Sequence, residues 1–270
     1  MPALTLIGEK MESLLFDTHA HYDDSRFDPD RDEVLSSMKE RGVGYIVDVG
    51  CSFDSIPKAF DLTRKYDFVY FSVGFHPNDA DAAEQYGEKE SLDLLRKYLA
   101  DPKCVAIGEI GLDYHWDDVS RETQKKWLRL QLDLARETGY PVIIHDREAH
   151  GDVMEILRSY KGVTGILHSF SGSPEMAAEL VRLGWYISFS GVLTFKNAAR
   201  LPEVARQVPT DRMLIETDCP YLAPHPHRGE RNDSSLMQHT AEKLAELKGM
   251  TVDEVTAVTA ENARRIYRIK

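Results

Sequence analysis

Apolar residues in this chain fall into short runs bounded by Gly, Pro and acidic residues, and these runs alternate with longer amphipathic stretches. Eight of the runs predict β-strands, over 14–16, 44–49, 68–75, 104–110, 141–145, 165–168, 185–190 and 213–217. Several are continuous and rich in Val, Ile and Phe, the pattern of strands covered on both faces, as in a parallel sheet. Between them, amphipathic spacing predicts helices over 29–40, 55–66, 91–99, 120–138, 152–160, 173–183 and 198–207. The sixth has the clearest ends, with Ser173 as N-cap, Pro174 at the first helical position and Gly184 just past the last. In the longest, Trp127, Leu130 and Leu134 at i, i+3 and i+7 predict a core face.

After the eighth strand a Pro- and His-rich loop, 220–234, leads to two further helices, 235–248 and 251–267, the second opened by a Thr251/Glu254 capping box. Strand ends recur at intervals of about 22 to 36 residues, one strand plus one helix, and eight such units closing on themselves make a (β/α)₈ TIM barrel. With no linker and no low-complexity tract, the expectation is one α/β domain over 1–270 with extra C-terminal helices. Residues 1–12 precede the first unit, and Met11 is an alternative start to a ten-residue extension.

The composition changes this picture little. With 270 residues and 42% hydrophobic content the chain can bury a large core. No apolar run reaches the roughly 20 residues of a membrane helix, and the N-terminal stretch lacks the marks of a secretory signal, so a cytoplasmic location is expected. The three cysteines, Cys51, Cys104 and Cys219, are scattered, which argues against a disulfide framework or a cysteine zinc site. The formal net charge of −12 argues against gripping nucleic acid by bulk electrostatics. It leaves room for a nucleic-acid enzyme, because bound cations both collect carboxylates and attract phosphate locally.

In such barrels the chemistry sits at the C-terminal ends of the strands. There the sequence places His19 and His21 after the first strand, Glu109 on the fourth, His145 on the fifth, His168 on the sixth and Asp218 after the eighth. His19 and His21, two apart on an extended chain, can aim at one point. Any one of these residues could be an ordinary loop or core residue; six at the same end of different strands suggest a metal centre. Four imidazoles and two carboxylates suit two divalent cations better than one. Glu109 is the expected bridge, with His19, His21 and Asp218 on one ion and His145 and His168 on the other, and Gly108 and Gly111 are expected to let the backbone approach the metals.

These motifs resemble those of the TatD family of metal-dependent deoxyribonucleases, in the amidohydrolase superfamily. The likeness runs through Asp17-Thr18-His19-Ala20-His21, Val73-Gly74-Phe75-His76-Pro77, Gly108-Glu109-Ile110-Gly111-Leu112-Asp113, Ile144-His145-Asp146-Arg147, His168-Ser169-Phe170-Ser171-Gly172 and Glu216-Thr217-Asp218-Cys219-Pro220. It implies metal ligation by His19, His21, Glu109, His145, His168 and Asp218, and nuclease activity with divalent cations, often magnesium, acting 3′ to 5′ in some members. The loop after strand eight follows the family pattern from Leu222 to Gly229 and departs from it at Asn232-Asp233-Ser234.

The expected enzyme is a two-metal phosphodiesterase using Zn, Mn or Mg to cleave DNA, at single strands or strand ends, with Asp218 taking the proton of water and Glu109 joining the metals. Substrate contacts are expected from His76, Arg147, His227 and Arg228, with turn capping as the alternative role for His76 and surface ion pairing for Arg147. Glu216 is expected either to orient a ligand or to pair with a core Lys or Arg. The alternative chemistry is hydrolysis of an amide, ester or lactone, as in an aminoacyl-tRNA deacylase, because the same ligands polarise a carbonyl. A non-catalytic metal- or nucleic-acid-binding protein is the third reading, disfavoured by the full ligand set with its candidate base.

Overall fold

The structure, a computed structural model, describes residues 14–270 apart from Asp117 and Ala199, so the expected extension over 1–12 lies outside the described residues. Eight strands follow one another in one sheet: β1 Leu15–Ala20, β2 Val43–Gly50, β3 Val69–Val73, β4 Cys104–Asp113, β5 Val142–Arg147, β6 Gly165–Leu167, β7 Tyr186–Phe189 and β8 Met213–Ile215. Each pairs in parallel with the next, and a parallel bridge between Ala20 and Cys219 brings the chain after β8 back to β1. The expected TIM barrel is the fold.

Helices α1 Arg31–Ser37 and α2 Ser55–Lys65 follow the first two strands, and α3 Ala80–Tyr86 and α4 Glu88–Leu99 share the third connection. Then come α5 Arg121–Thr138, α6 His150–Ser159, α7 Pro174–Arg182, α8 Leu201–Gln207, α9 Met237–Lys248 and α10 Val252–Tyr267. The sequence pattern missed α3. It buries only Ala80 and Ala83, too small to mark an apolar stripe, and Gly87 at φ +115° separates it from α4. In α5 the buried face is Gln124, Trp127, Leu128, Gln131, Leu132, Leu134 and Ala135, and Leu130 is only half-buried at its margin. Ser173 caps α7 and the Thr251/Glu254 box caps α10 as the sequence indicates.

The last helix is a working part of the barrel rather than an appendage. Its Ala260, Ala263, Ile266 and Tyr267 join one apolar cluster with Phe16, Val105, Ile143, Ile166 and Leu214, each the second residue of its strand. Thus α10 covers the N-terminal mouth, and only the C-terminal mouth, where the candidate chemistry lies, stays free of it. No helix among the described residues is long and apolar enough to cross a membrane.

Strand ends depart from expectation where they matter. β4 runs on to Asp113 and β5 to Arg147, because Gly111, Leu112 and Asp113 pair with His145, Asp146 and Arg147. β6 and β8 stop early: the chain turns with φ +40° at Ser169 and +58° at Asp218, conformations that end a strand. The glycines of β4 are required by the packing of the neighbouring strand. A Cβ on Gly108 would stand 2.5 Å from the Cβ of Ile143, and one on Gly111 would stand 2.0 Å from the carbonyl oxygen of His145. They admit the neighbouring strand β5.

Gly111→Ala is therefore expected to destabilise the protein by about 2–3 kcal/mol through overpacking. Gly151→Ala, in α6 with nothing within 4 Å of the added methyl, is expected to stabilise it by about 0.5 kcal/mol. Urea denaturation of both variants checks this, and equal stability of the two would show that the β4–β5 approach is not limiting.

Candidate metal centre

The first group of candidate residues is assembled at the β1–β8 seam. His19 lies within β1, with His21 just past its end. The Asp218 N–H donates to the His19 carbonyl at 2.9 Å and the His21 N–H to the Cys219 carbonyl at 2.8 Å, so the turn carrying Asp218 is fastened beside both histidines. A non-glycine residue in the left-handed region costs of order 1–3 kcal/mol, tolerated where the surroundings over-determine it. Here the backbone bonds do so. Asp218 Oδ1 then stands 3.6 Å from both His19 Nε2 and His21 Nε2, and those two nitrogens are 3.0 Å apart.

The second group comes from β4, β5 and the end of β6. Glu109 is nearly fully buried and divides its carboxylate between the groups. Its Oε2 lies 3.4 Å from His19 Nε2 and 3.8 Å from His21 Nε2, whereas Oε1 lies 2.6 Å from His145 Nδ1 and 2.8 Å from His168 Nε2. His76 reaches the same oxygen with Nε2 at 3.9 Å while its Nδ1 accepts the Asn78 N–H at 3.1 Å. His76 thus fills the alternative role of turn cap while its other nitrogen faces the Glu109 carboxylate.

The outer nitrogens matter as much. His21 Nδ1 lies 3.2 Å from the Val49 carbonyl, His145 Nε2 3.1 Å from Asp113 Oδ2, and His168 Nδ1 3.2 Å from Glu216 Oε1. Anchoring one ring nitrogen so that the other faces inward is how proteins orient metal-binding histidines. His19 Nδ1, by contrast, is buried without a hydrogen-bond partner among the described residues. Glu216 takes the orienting role, also accepting the Ser169 N–H at 2.6 Å, and no Lys or Arg pairs with it among the described residues. Asp113 was not assigned from the sequence. A signal existed: Glu109, Gly111 and Asp113 alternate along one strand and so share a face.

The electrostatics follow from burial and proximity. Burial alone would raise the Glu109 carboxyl, but His168, His19 and His145 outweigh it and hold the group well below the usual range. Burial, then the charge of His168, lowers His19, and burial with the charge of His145 pushes His76 down to about 3. For His21 burial is overcome by the hydrogen bond and charge of Asp218 and by Asp23, which lift it to about 10; for His168 it is overcome by Glu109 and Glu216. Protons on these rings balance the carboxylates where a divalent cation could do so instead. Three trios, His19/His21/Glu109, His76/Glu109/His145 and His19/His168/Glu216, each bring donor atoms within 4.8 Å of one another. The donor set of imidazoles and carboxylates fits transition-type divalent metals.

The remaining expected contacts lie elsewhere on the C-terminal loops. Arg147, exposed at the end of β5, holds its guanidinium 5.7 Å above the Trp116 ring. His227 Nδ1 is 2.9 Å from Glu230, and the Arg228 guanidinium lies 3.6 Å over Phe195. None of the three bonds to the histidine cluster among the described residues.

Comparison with known proteins places this arrangement. The model of the TatD related DNase family matches residues 16–268. A Bacillus subtilis protein named as the uncharacterized metal-dependent hydrolase YabD is 46% identical over 95% of this chain and 100% of its own length. An Erwinia tasmaniensis protein named 3′-5′ ssDNA/RNA exonuclease TatD is 33% identical, covering 94% of this chain and all of its own. Among solved structures, YjjV, a TatD homologue from Escherichia coli, superposes with a TM-score of 0.88 at 29% identity, over 96% of this chain and 100% of that one. A barrel with this ordered set of histidines and carboxylates, matched end to end by these relatives, belongs to the TatD related DNase family of metal-dependent hydrolases.

Proposed function

We propose that the protein is a two-metal phosphodiesterase that cleaves DNA at single strands or strand ends. The observation that carries this reading is the division of Glu109, one carboxylate oxygen toward His19 and His21 and the other toward His145 and His168. On it, His19, His21 and Asp218 would hold one divalent cation, His145 and His168 the other, with Glu109 shared; Zn, Mn and Mg are the candidates. Bound there, such a pair lowers the pKa of water and neutralises charge on phosphoryl oxygens.

The protein's own groups supply the rest. Asp218, fixed by its backbone bonds beyond the strand end, accepts one proton of the attacking water; the P–O bond opposite breaks, its oxygen leaves by taking a proton from solvent, and Asp218 returns its proton to solvent. Asp113, Glu216 and the Val49 carbonyl hold three imidazoles in place, so the cluster need not reorganise during the reaction. Arg147, His227 and Arg228, with His76 closer in, offer donors to phosphate oxygens. Support for a nucleic-acid substrate comes from the Erwinia tasmaniensis relative named as a 3′-5′ exonuclease on single-stranded DNA and RNA.

His145→Ala or His168→Ala is expected to lower bound metal by about one ion per chain while leaving the fold largely intact, since both sit at the open mouth and outside the packed layers. Elemental analysis after chelation and reloading measures it, and unchanged stoichiometry in both variants would remove the ligand assignment.

Asp218→Asn is expected to keep substantial metal and DNA binding yet lose about 10²- to 10⁴-fold in kcat, because an amide oxygen can face a cation but cannot take a proton at neutral pH. The assay is cleavage of end-labelled single strands alongside duplex, RNA, and ester and lactone panels. A variant within a few-fold of the parent would move the base role to another group, and activity confined to the esters or lactones would favour acyl chemistry on the same centre.

A further inference from the structure

Single exposed large apolar side chains are ordinary on a protein surface, so what gives one meaning is its place relative to a functional site. Among the described residues five are exposed: Tyr86, Trp116, Leu183, Tyr221 and Val252. Tyr86 ends α3, Leu183 follows α7 and Val252 opens α10, so these three lie at helix ends. The other two flank the histidine–carboxylate cluster. Trp116, 50% exposed, follows Asp113 by three residues, and Tyr221, 47% exposed, follows Asp218 by three.

Their places in the barrel are opposite. Trp116 leaves β4 beside the end of β5, whereas Tyr221 lies at the β8–β1 seam, half the sheet order away. Glu109 reaches between them, one oxygen toward each side. Each ring is also paired with an arginine. Arg147 lies 5.7 Å from the Trp116 centroid and makes no ion pair among the described residues; Arg26 lies 3.8 Å from the Tyr221 centroid, and the Tyr221 hydroxyl donates to Asp24 at 3.1 Å. A guanidinium over a ring is attracted to its face, and the His115 ring, perpendicular to Trp116 with centroids 4.8 Å apart, steadies that ring at a second point. Aromatic rings alternating with cations along one path are the physical means of holding unpaired nucleobases. They also answer the charge problem, since stacking needs no positive surface and the chain carries −12.

Resting on the phosphodiesterase reading of the centre, we propose that Trp116 and Tyr221 are its two nucleobase platforms, gripping the bases on either side of the phosphodiester that lies over Glu109. Arg147 then meets the phosphate next to the base on Trp116. The strand crosses the mouth from β4–β5 to the β8–β1 seam, and both bases must be unpaired to reach their rings.

The test uses the manganese-loaded protein, Trp116→Ala, Trp116→Phe and Tyr221→Ala, with an octathymidylate and the same strand made abasic at the two nucleotides flanking the bond the parent cleaves. Each Ala variant is expected to lose about 5- to 150-fold in kcat/KM on the full strand, mostly in KM, and less than about twofold on the abasic strand. Trp116→Phe should retain most of the activity. An independent readout comes from fluorescence: of the three tryptophans, Trp127 and Trp185 are buried, so quenching by a phosphorothioate octathymidylate reports Trp116. Quenching in the parent and its loss in Trp116→Phe are expected. Equal losses on both strands, or no loss and no quenching, would overturn the platforms while leaving cleavage by the parent intact. If the parent cleaves neither strand the phosphodiesterase reading fails, and quenching alone then decides whether the platforms stand.

Discussion

The Asp17 carboxylate closes the barrel, and everything at the C-terminal mouth depends on that closure. Fully buried, it accepts the Thr217 N–H at 3.0 Å, the Thr217 hydroxyl at 2.5 Å, the Ser234 hydroxyl at 2.7 Å and, more weakly, the His19 N–H at 3.3 Å. Burial pushes this carboxyl up to about 7 against the pull of those donors. Nearby, the Thr18 hydroxyl donates to the Ile215 carbonyl at 3.0 Å, and Tyr267 from α10 donates to the Thr18 carbonyl at 2.8 Å. β8 ends at Ile215, and beyond it the seam is held by the backbone bonds of Asp218 to His19 and of His21 to Cys219 together with these side chains. A buried polar network of this kind is useful only when its members are satisfied, and here the donors converge on one acceptor group. Ser234 and Asn232 tie the loop after β8 to it: Ser234 through its hydroxyl, and Asn232 by donating to the Thr217 and Tyr221 carbonyls.

The opposite half of the mouth obeys a steric constraint instead. β4 and β5 approach so closely that Gly108 and Gly111 have no room for a side chain, and this approach aligns Glu109 and Asp113 with His145. The two halves meet at Glu109 and at the stacked rings of His19 and His168, whose centroids are 4.0 Å apart. A carboxylate this deeply buried needs cationic neighbours to remain charged. The imidazoles provide them when protonated, and divalent cations would do so more strongly, which makes the same geometry suited to a metal-dependent hydrolase.

On the proposed reading, an acidic protein acting on a polyanion would have to localise its attraction. Here the positive potential would be concentrated at the cation site, and the mouth adds rings and guanidinium groups rather than a broad basic face. On that reading the grip on substrate would be short and near the centre, with little help from the remaining surface.

Much of this was legible in the sequence. Continuous apolar runs at regular intervals gave the eight strands, because a doubly covered strand cannot hide its composition. The rule that barrel chemistry gathers at strand ends then picked His19, His21, Glu109, His145, His168 and Asp218, which the fold brings together. What escaped depends on register between segments far apart in the chain. Asp113 joins the site only because β4 continues beside β5; Asp17 closes the seam only because β8 returns to β1; His76 both caps a turn and faces Glu109. Helix α3 was invisible because alanines bury too little to show a stripe. Local periodicity is written in neighbouring residues, whereas the convergence of side chains from seven connections away exists only once the barrel has closed.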